Sequence, residues 1–232
     1  MSSNPNIARR ATLALQGAVA VAAMIAVLAV TGAGDGHAAG RIHGHGAVTA
    51  PVTARQVAFH DGMRKLWEQH VAWTRMAIVS FVGGLPNLPA TEQRLLRNQV
   101  DIGNAIKPYY GRAAGNRLTA LLRTHITGAV ALLQAAKSGE QAAIAGAKAA
   151  WYANSRQIAD FLSGANPRNW PRGAVRAMMK THLDQTLAEA VDELTGDYGA
   201  GVREYDRIES HILEMADTLS NGIMRQFPRR FR

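Results

Sequence analysis

The chain has no cysteine among its 232 residues. Disulfides, thiolate metal sites and cysteine nucleophiles are therefore excluded, and a domain of this size outside the cytoplasm must be held by its apolar core. Short enzyme motifs are missing as well. There is no Gly-x-x-x-x-Gly-Lys phosphate loop, no Gly-x-Ser-x-Gly elbow, and no Gly-x-Gly-x-x-Gly between a strand and a helix. Nucleotide chemistry has no seat in such a sequence. Strand-like alternation and repeats of fixed period are absent too, which removes β and solenoid architectures. Acidic residues are few, 17 against 26 lysines and arginines, giving a formal net charge of +9.

What is present begins with one apolar run. Ala11 to Val30 follows Arg9 and Arg10 and ends in small residues, with Gly36 and Ala38 in the −3 and −1 positions of a signal-peptidase site. Residues 1–38 are expected to be a signal peptide cut after Ala38. The alternative is an uncleaved anchor, because twenty apolar residues can span a bilayer. Either reading sends the remainder out of the cytoplasm, to a secreted, periplasmic or membrane-anchored location. Removing 1–38 takes away only Arg9, Arg10 and Asp35, so the exported part stays basic. Such a domain meets anionic headgroups and cell-wall polymers rather than nucleic acid. Residues 39–53, rich in Gly, Ala and His, read as a flexible tether, and His43 and His45 within it as a weak metal-binding tract.

From Ala54 the apolar residues recur at three and four. Leu66, His70, Trp73, Ala77 and Phe81 share one face of a long first helix, which Gly83-Gly84 and the pair Pro86 and Pro89 stop. A short second helix is expected from a cap at Thr91 to Pro108, and a third from about Arg112 to Ala136. The fourth, about Glu140 to Leu162, opens with small residues from Ala142 to Ala150 that permit close approach of a neighbour. A fifth follows Pro171 to about Leu194, and a sixth runs from Tyr198 to about Arg225. The prediction is an all-α antiparallel helical bundle over 54–228, with about four long helices and one or two shorter ones, followed by a frayed basic tail at 229–232.

Four of the eight histidines, His70, His125, His182 and His211, stand one per long helix on the apolar stripe. Helices five and six form a hairpin about Gly196-Asp197, so residues equidistant from that turn lie at equal height. His182 pairs with His211, Met178 with Met215 and Glu189 with Glu204. Imidazole with thioether suits copper and, less well, haem iron; imidazole alone suits zinc or copper. The expected ligands are His70, His125, His182 and His211 with Met178 or Met215, supported by Glu189, Glu204 and Asp101 as carboxylates behind them. No catalytic residue is assigned. The competing reading for each histidine is a hydrogen-bonded core imidazole, with Glu189 and Glu204 balancing Arg203 and Arg207. Di-iron spacing fails, since Trp67, Leu122, Met179 and Ile208 occupy the positions where a Glu is required.

The stretches Leu66-Trp67-Glu68-Gln69-His70-Val71-Ala72-Trp73-Thr74-Arg75 and Leu96-Arg97-Asn98-Gln99-Val100-Asp101-Ile102-Gly103-Asn104 resemble an uncharacterised family of small bacterial proteins. The likeness continues through Trp151-Tyr152-Ala153-Asn154, Asn166 to Pro171, His182-Leu183, Met215-Ala216-Asp217 and Gln226-Phe227-Pro228. Members are sometimes labelled glycosyltransferase or acetylglutamate kinase. Both labels would need a nucleotide-binding α/β fold, against which the helical pattern argues. The resemblance implies one domain and supplies no activity.

The resulting expectations are a copper-favouring metal binder for storage, buffering or sensing, or an interaction module docking on anionic membrane or wall polymer. An enzyme using His182 or His211 with Glu189 or Glu204 as acid and base is the third. The sequence leaves pairing with a second copy open.

Overall fold

A computed structural model describes residues 52–232. The export segment and all but the last two residues of the tether, with their histidines, lie outside them. Among the described residues every element is helical: α1 Ala54–Gly83, α2 Leu88–Ser138, α3 Gln141–Ala165, α4 Arg172–Thr195 and α5 Tyr198–Gln226, closed by a 3-10 turn at Pro228–Phe231. None of these helices is long and apolar enough to cross a membrane.

Thr53 starts α1 with a capping box, its hydroxyl accepting from the Gln56 amide while the Gln56 side chain accepts from the Thr53 amide. Gly84, Gly139 and Gly196, all left-handed, end α1, α2 and α4. The expected second and third helices are the two halves of α2, bent at Gly111, whose φ of 84° and ψ of 168° lie outside helical space. Pro108 does not end the first half, which runs on to Tyr110, and its start is Leu88 rather than Thr91. Pro89 there falls in the first turn, where a missing N–H leaves no bond unmade.

The halves of α2 fold back on each other at two glycines. A Cβ on Gly103 would lie 2.0 Å from Thr119 Oγ1 and 2.7 Å from the Gly115 carbonyl, so only glycine allows this backbone contact. The chain then closes a ring: each helix packs on its successor and α5 returns to α1. Asn98 in the first half of α2 donates to the Leu66 carbonyl of α1, and Asn154 of α3 donates to the Leu121 carbonyl of the second half.

The terminal end of the bundle is plugged by aromatics. Trp170 donates through Nε1 to the Thr218 carbonyl and fills the space that a Cβ on Gly222 would take. Asn166 holds the preceding turn by donating to the Gly222 carbonyl. Phe231 is buried beside Tyr109 and Phe59, and its carbonyl accepts from Thr53 Oγ1. The basic tail is thus not frayed. Burying one phenylalanine fixes it and leaves Arg229, Arg230 and Arg232 exposed on a defined turn. At the small-residue start of α3, Ile144 and Ala147 pack against the core while Gly146 is exposed, a Cβ there meeting nothing within 4 Å. Ala145 and Ala149 border a cavity at the opposite end.

Candidate functional site in a buried histidine layer

Halfway along the bundle His70 of α1, His125 of the second half of α2 and His182 of α4 point into the core, each at most 3% exposed. The His182 ring centroid lies 5.6 Å from that of His70 and 6.1 Å from that of His125. The sequence places them there because each occupies an apolar-stripe position at the middle of its helix, so the three fall at one height. Trp67 meets His70 edge-on at 5.8 Å, and Trp151 stacks on His125 at 5.3 Å while donating to its carbonyl.

Amides, not carboxylates, support the rings. His125 Nδ1 lies 3.2 Å from Asn154 Oδ1, and because Asn154 Nδ2 is used on the Leu121 carbonyl, the ring is the donor. His125 therefore carries its proton on Nδ1 and a lone pair on Nε2. Around His70 the arrangement is frustrated. Gln99 Nε2 lies 3.2 Å from His70 Nδ1, 2.9 Å from the Leu95 carbonyl and 3.1 Å from Asn98 Oδ1, three acceptors for two hydrogens, while Gln99 Oε1 has no partner. His182 Nδ1 is buried without a partner as well. Trp67 Nε1 is a third such atom at the layer. Each unpaired buried group costs about 1–3 kcal/mol.

The layer holds its imidazoles neutral. Burial pushes the His70 pKa down to about 3, with His125 adding a smaller effect, and burial pushes His125 down to about 4 against its Asn154 bond. His182 is lowered well below the ordinary histidine range by burial and then by its three histidine neighbours. Neutral imidazole is the form that binds metal. Among the described residues, however, no three His, Asp or Glu side chains have their ligating atoms already gathered about one point.

The other expected ligands stand apart. His211 on α5 is half-buried and donates from Nε2 to the Met178 carbonyl at 3.0 Å, close enough to His182 to lower its proton affinity. Met178 is half-buried, and Met215 is fully buried in the apolar core. Glu189 is buried and bonded by Arg75 Nη1 at 2.6 Å, with Glu193 on Nη2 at 3.2 Å. Burial outweighs Arg75 and raises the Glu189 pKa to about 7. Glu204 pairs with Arg207 at 2.6 Å. Asp101 faces Arg97 at 3.3 Å, on the surface side of α2. None of these three carboxylates hydrogen-bonds a histidine. Gln99, Asn154 and Arg75 are the functional neighbours that sequence reasoning missed. Their partners lie 29 to 114 positions away, beyond the reach of local sequence patterns.

One helical turn beyond the layer, toward the Gly84, Gly139 and Gly196 end, a cavity of about 440 Å³ opens between α1, α2, α3 and α4. Thr74, Ile126, Trp151 and Thr186 separate it from the rings. No family model, curated protein or solved structure matches the chain.

Proposed function

We propose that the protein is exported and binds one transition-metal ion, copper ahead of zinc, between His70, His125 and His182, as a store, buffer or sensor rather than an enzyme. The observation that supports this reading is the buried, unpartnered His182 Nδ1 on a ring whose centroid lies 5.6 Å from that of His70 and 6.1 Å from that of His125. Two imidazoles bound to one ion through nitrogens about 2.0 Å away have ring centroids about 5 Å apart, so binding would draw His70 and His125 closer to His182 and turn their nitrogens toward one point. Metal binding through His70 Nε2 requires a proton on Nδ1 and an acceptor for it, which Gln99 supplies only by giving up its contacts with the Leu95 carbonyl and Asn98 Oδ1. Asn154 already serves as that acceptor for His125. Copper heads the divalent series for such nitrogen sites.

The test is elemental analysis and absorption spectroscopy of the full chain, purified without affinity histidines or chelator, beside His182→Gln. Near-stoichiometric copper or zinc in the parent and its loss in the variant, with helicity unchanged, is expected. Metal retained by the variant, or an empty parent after metal is supplied, would sink the reading.

A second reading, docking on an anionic membrane or wall surface, is favoured by Arg229, Arg230 and Arg232 on their fixed turn. Salt-sensitive sedimentation with phosphatidylglycerol vesicles, weakened by Arg229→Ser with Arg230→Ser, is its expected result; equal sedimentation of both proteins would remove it.

A further inference from the structure

The cavity beyond the histidine layer is a site of its own, and we propose that it binds one long-chain fatty acid, the acyl chain inside and the carboxylate at Lys148. Its volume is about 440 Å³. A cavity of about 150 Å³ holds a benzene, so this one has room for on the order of 18 carbon atoms. The walls are aliphatic, including Ile78, Leu95, Ile126, Leu133, Leu187 and Val191. Along α3 the lining extends from Gln141 to Tyr152, about 16 Å of helix axis at 1.5 Å per residue. An elongated apolar space suits a chain. No histidine or methionine lines it.

Charge selects the head group. Lys148 is the one charged side chain in the lining, and no Asp or Glu accompanies it. Among the described residues it makes no ion pair; its ammonium rests 5.9 Å from the Tyr152 ring centre. The Tyr152 hydroxyl is already committed to Asp184 at 2.6 Å, which leaves Lys148, with the Gln141 amide two turns away on the same helix face, to receive a carboxylate. The cavity exists because α3 carries alanine where other helices carry leucine: Ala145 and Ala149 face it from the exposed side, and Ala129 and Ala136 from α2.

Oleate titrated into the full chain below its micellar concentration, followed by calorimetry and native mass spectrometry, tests the proposal. Saturable binding of a single equivalent is expected. Ala145→Trp, an exposed position at the mouth, should abolish it while leaving the melting temperature unchanged. Lys148→Met should weaken oleate about tenfold, the loss of one charge-assisted bond, and leave oleyl alcohol unaffected. Absence of saturable binding, or binding that survives Ala145→Trp, overturns the proposal. Equal oleate affinity in Lys148→Met overturns the carboxylate assignment. His182→Gln should bind oleate normally, so failure of the metal reading leaves this one standing.

Discussion

The two ends of the bundle are built from the same helices and solve the packing problem in opposite ways. At the terminal end Trp170, Tyr110, Phe227, Tyr109, Phe59 and Phe231 interlock, and the void left among Met63, Trp67, Ile158 and their neighbours is only about 10 Å³. At the opposite end alanines from α2 and α3 leave about 440 Å³ open. Close packing is the ordinary state of a core. The closed end therefore supplies stability, and the open end is where the chain forgoes it. The histidine layer lies between them, polar and uncharged.

The largest way to break this contrast is at the plug. Trp170→Ala should cost about 4 kcal/mol in urea unfolding, because a fully packed indole is removed and its bond to the Thr218 carbonyl lost. A loss below 1 kcal/mol would mean that the terminal end is not what holds the bundle.

Acid probes the layer between. Three histidines with depressed folded pKa values bind protons in the unfolded chain first, so stability is full above about pH 6.5 and falls as pH drops toward 4. Glu189 acts oppositely: its folded pKa, raised to about 7, makes its contribution fullest below the unfolded value near 4.5 and lost as pH rises through 7. Around pH 5 the balance is a net loss of about 3 kcal/mol per pH unit. Urea midpoints measured between pH 4.5 and 7.5 check this, and a flat profile would show that the rings are solvated.

At the open end the same truncation should cost less. Leu133→Ala, half-buried on the cavity wall, is expected to lose about 1 kcal/mol, since the lost apolar area was only partly withdrawn from water. Leu122→Ala in the closed core should lose about 3 kcal/mol by adding a cavity where none existed. Equal losses would erase the difference between the two regions. The smallest effect belongs to the surface: Arg97→Ala removes an exposed pair with Asp101 and should change stability by less than about 0.5 kcal/mol. Metal content unchanged in Asp101→Asn would sharpen the separation of that carboxylate from the layer.

Legibility followed the range of the interactions. Periodicity, caps and breakers are local, so α1, α3, α4 and α5 were readable to within a few residues, as were the turns at Gly84, Gly139 and Gly196. Where two local signals compete, the glycine prevails: Pro108 signals a stop, yet Gly111 is where the chain turns. The stripe positions of His70, His125 and His182 were equally visible. Gln99 lies on the stripe of Leu95, Ile102 and Ile106 while Asp101 stands about 200° round the helix, so their faces were legible; the partner of Gln99 at His70 was not.

The sequence by itself determined an all-helical domain with four histidines on its apolar stripes, because helix formation and amphipathic stripes depend on neighbours within a few residues. Only the tertiary structure decided that three of the four rings face one another, that Arg75 lies between Glu189 and Glu193, and that Ala145 and Ala149 of α3 border empty space. Those outcomes depend on the rotation and separation of whole helices, which are set by contacts between residues far apart in the chain.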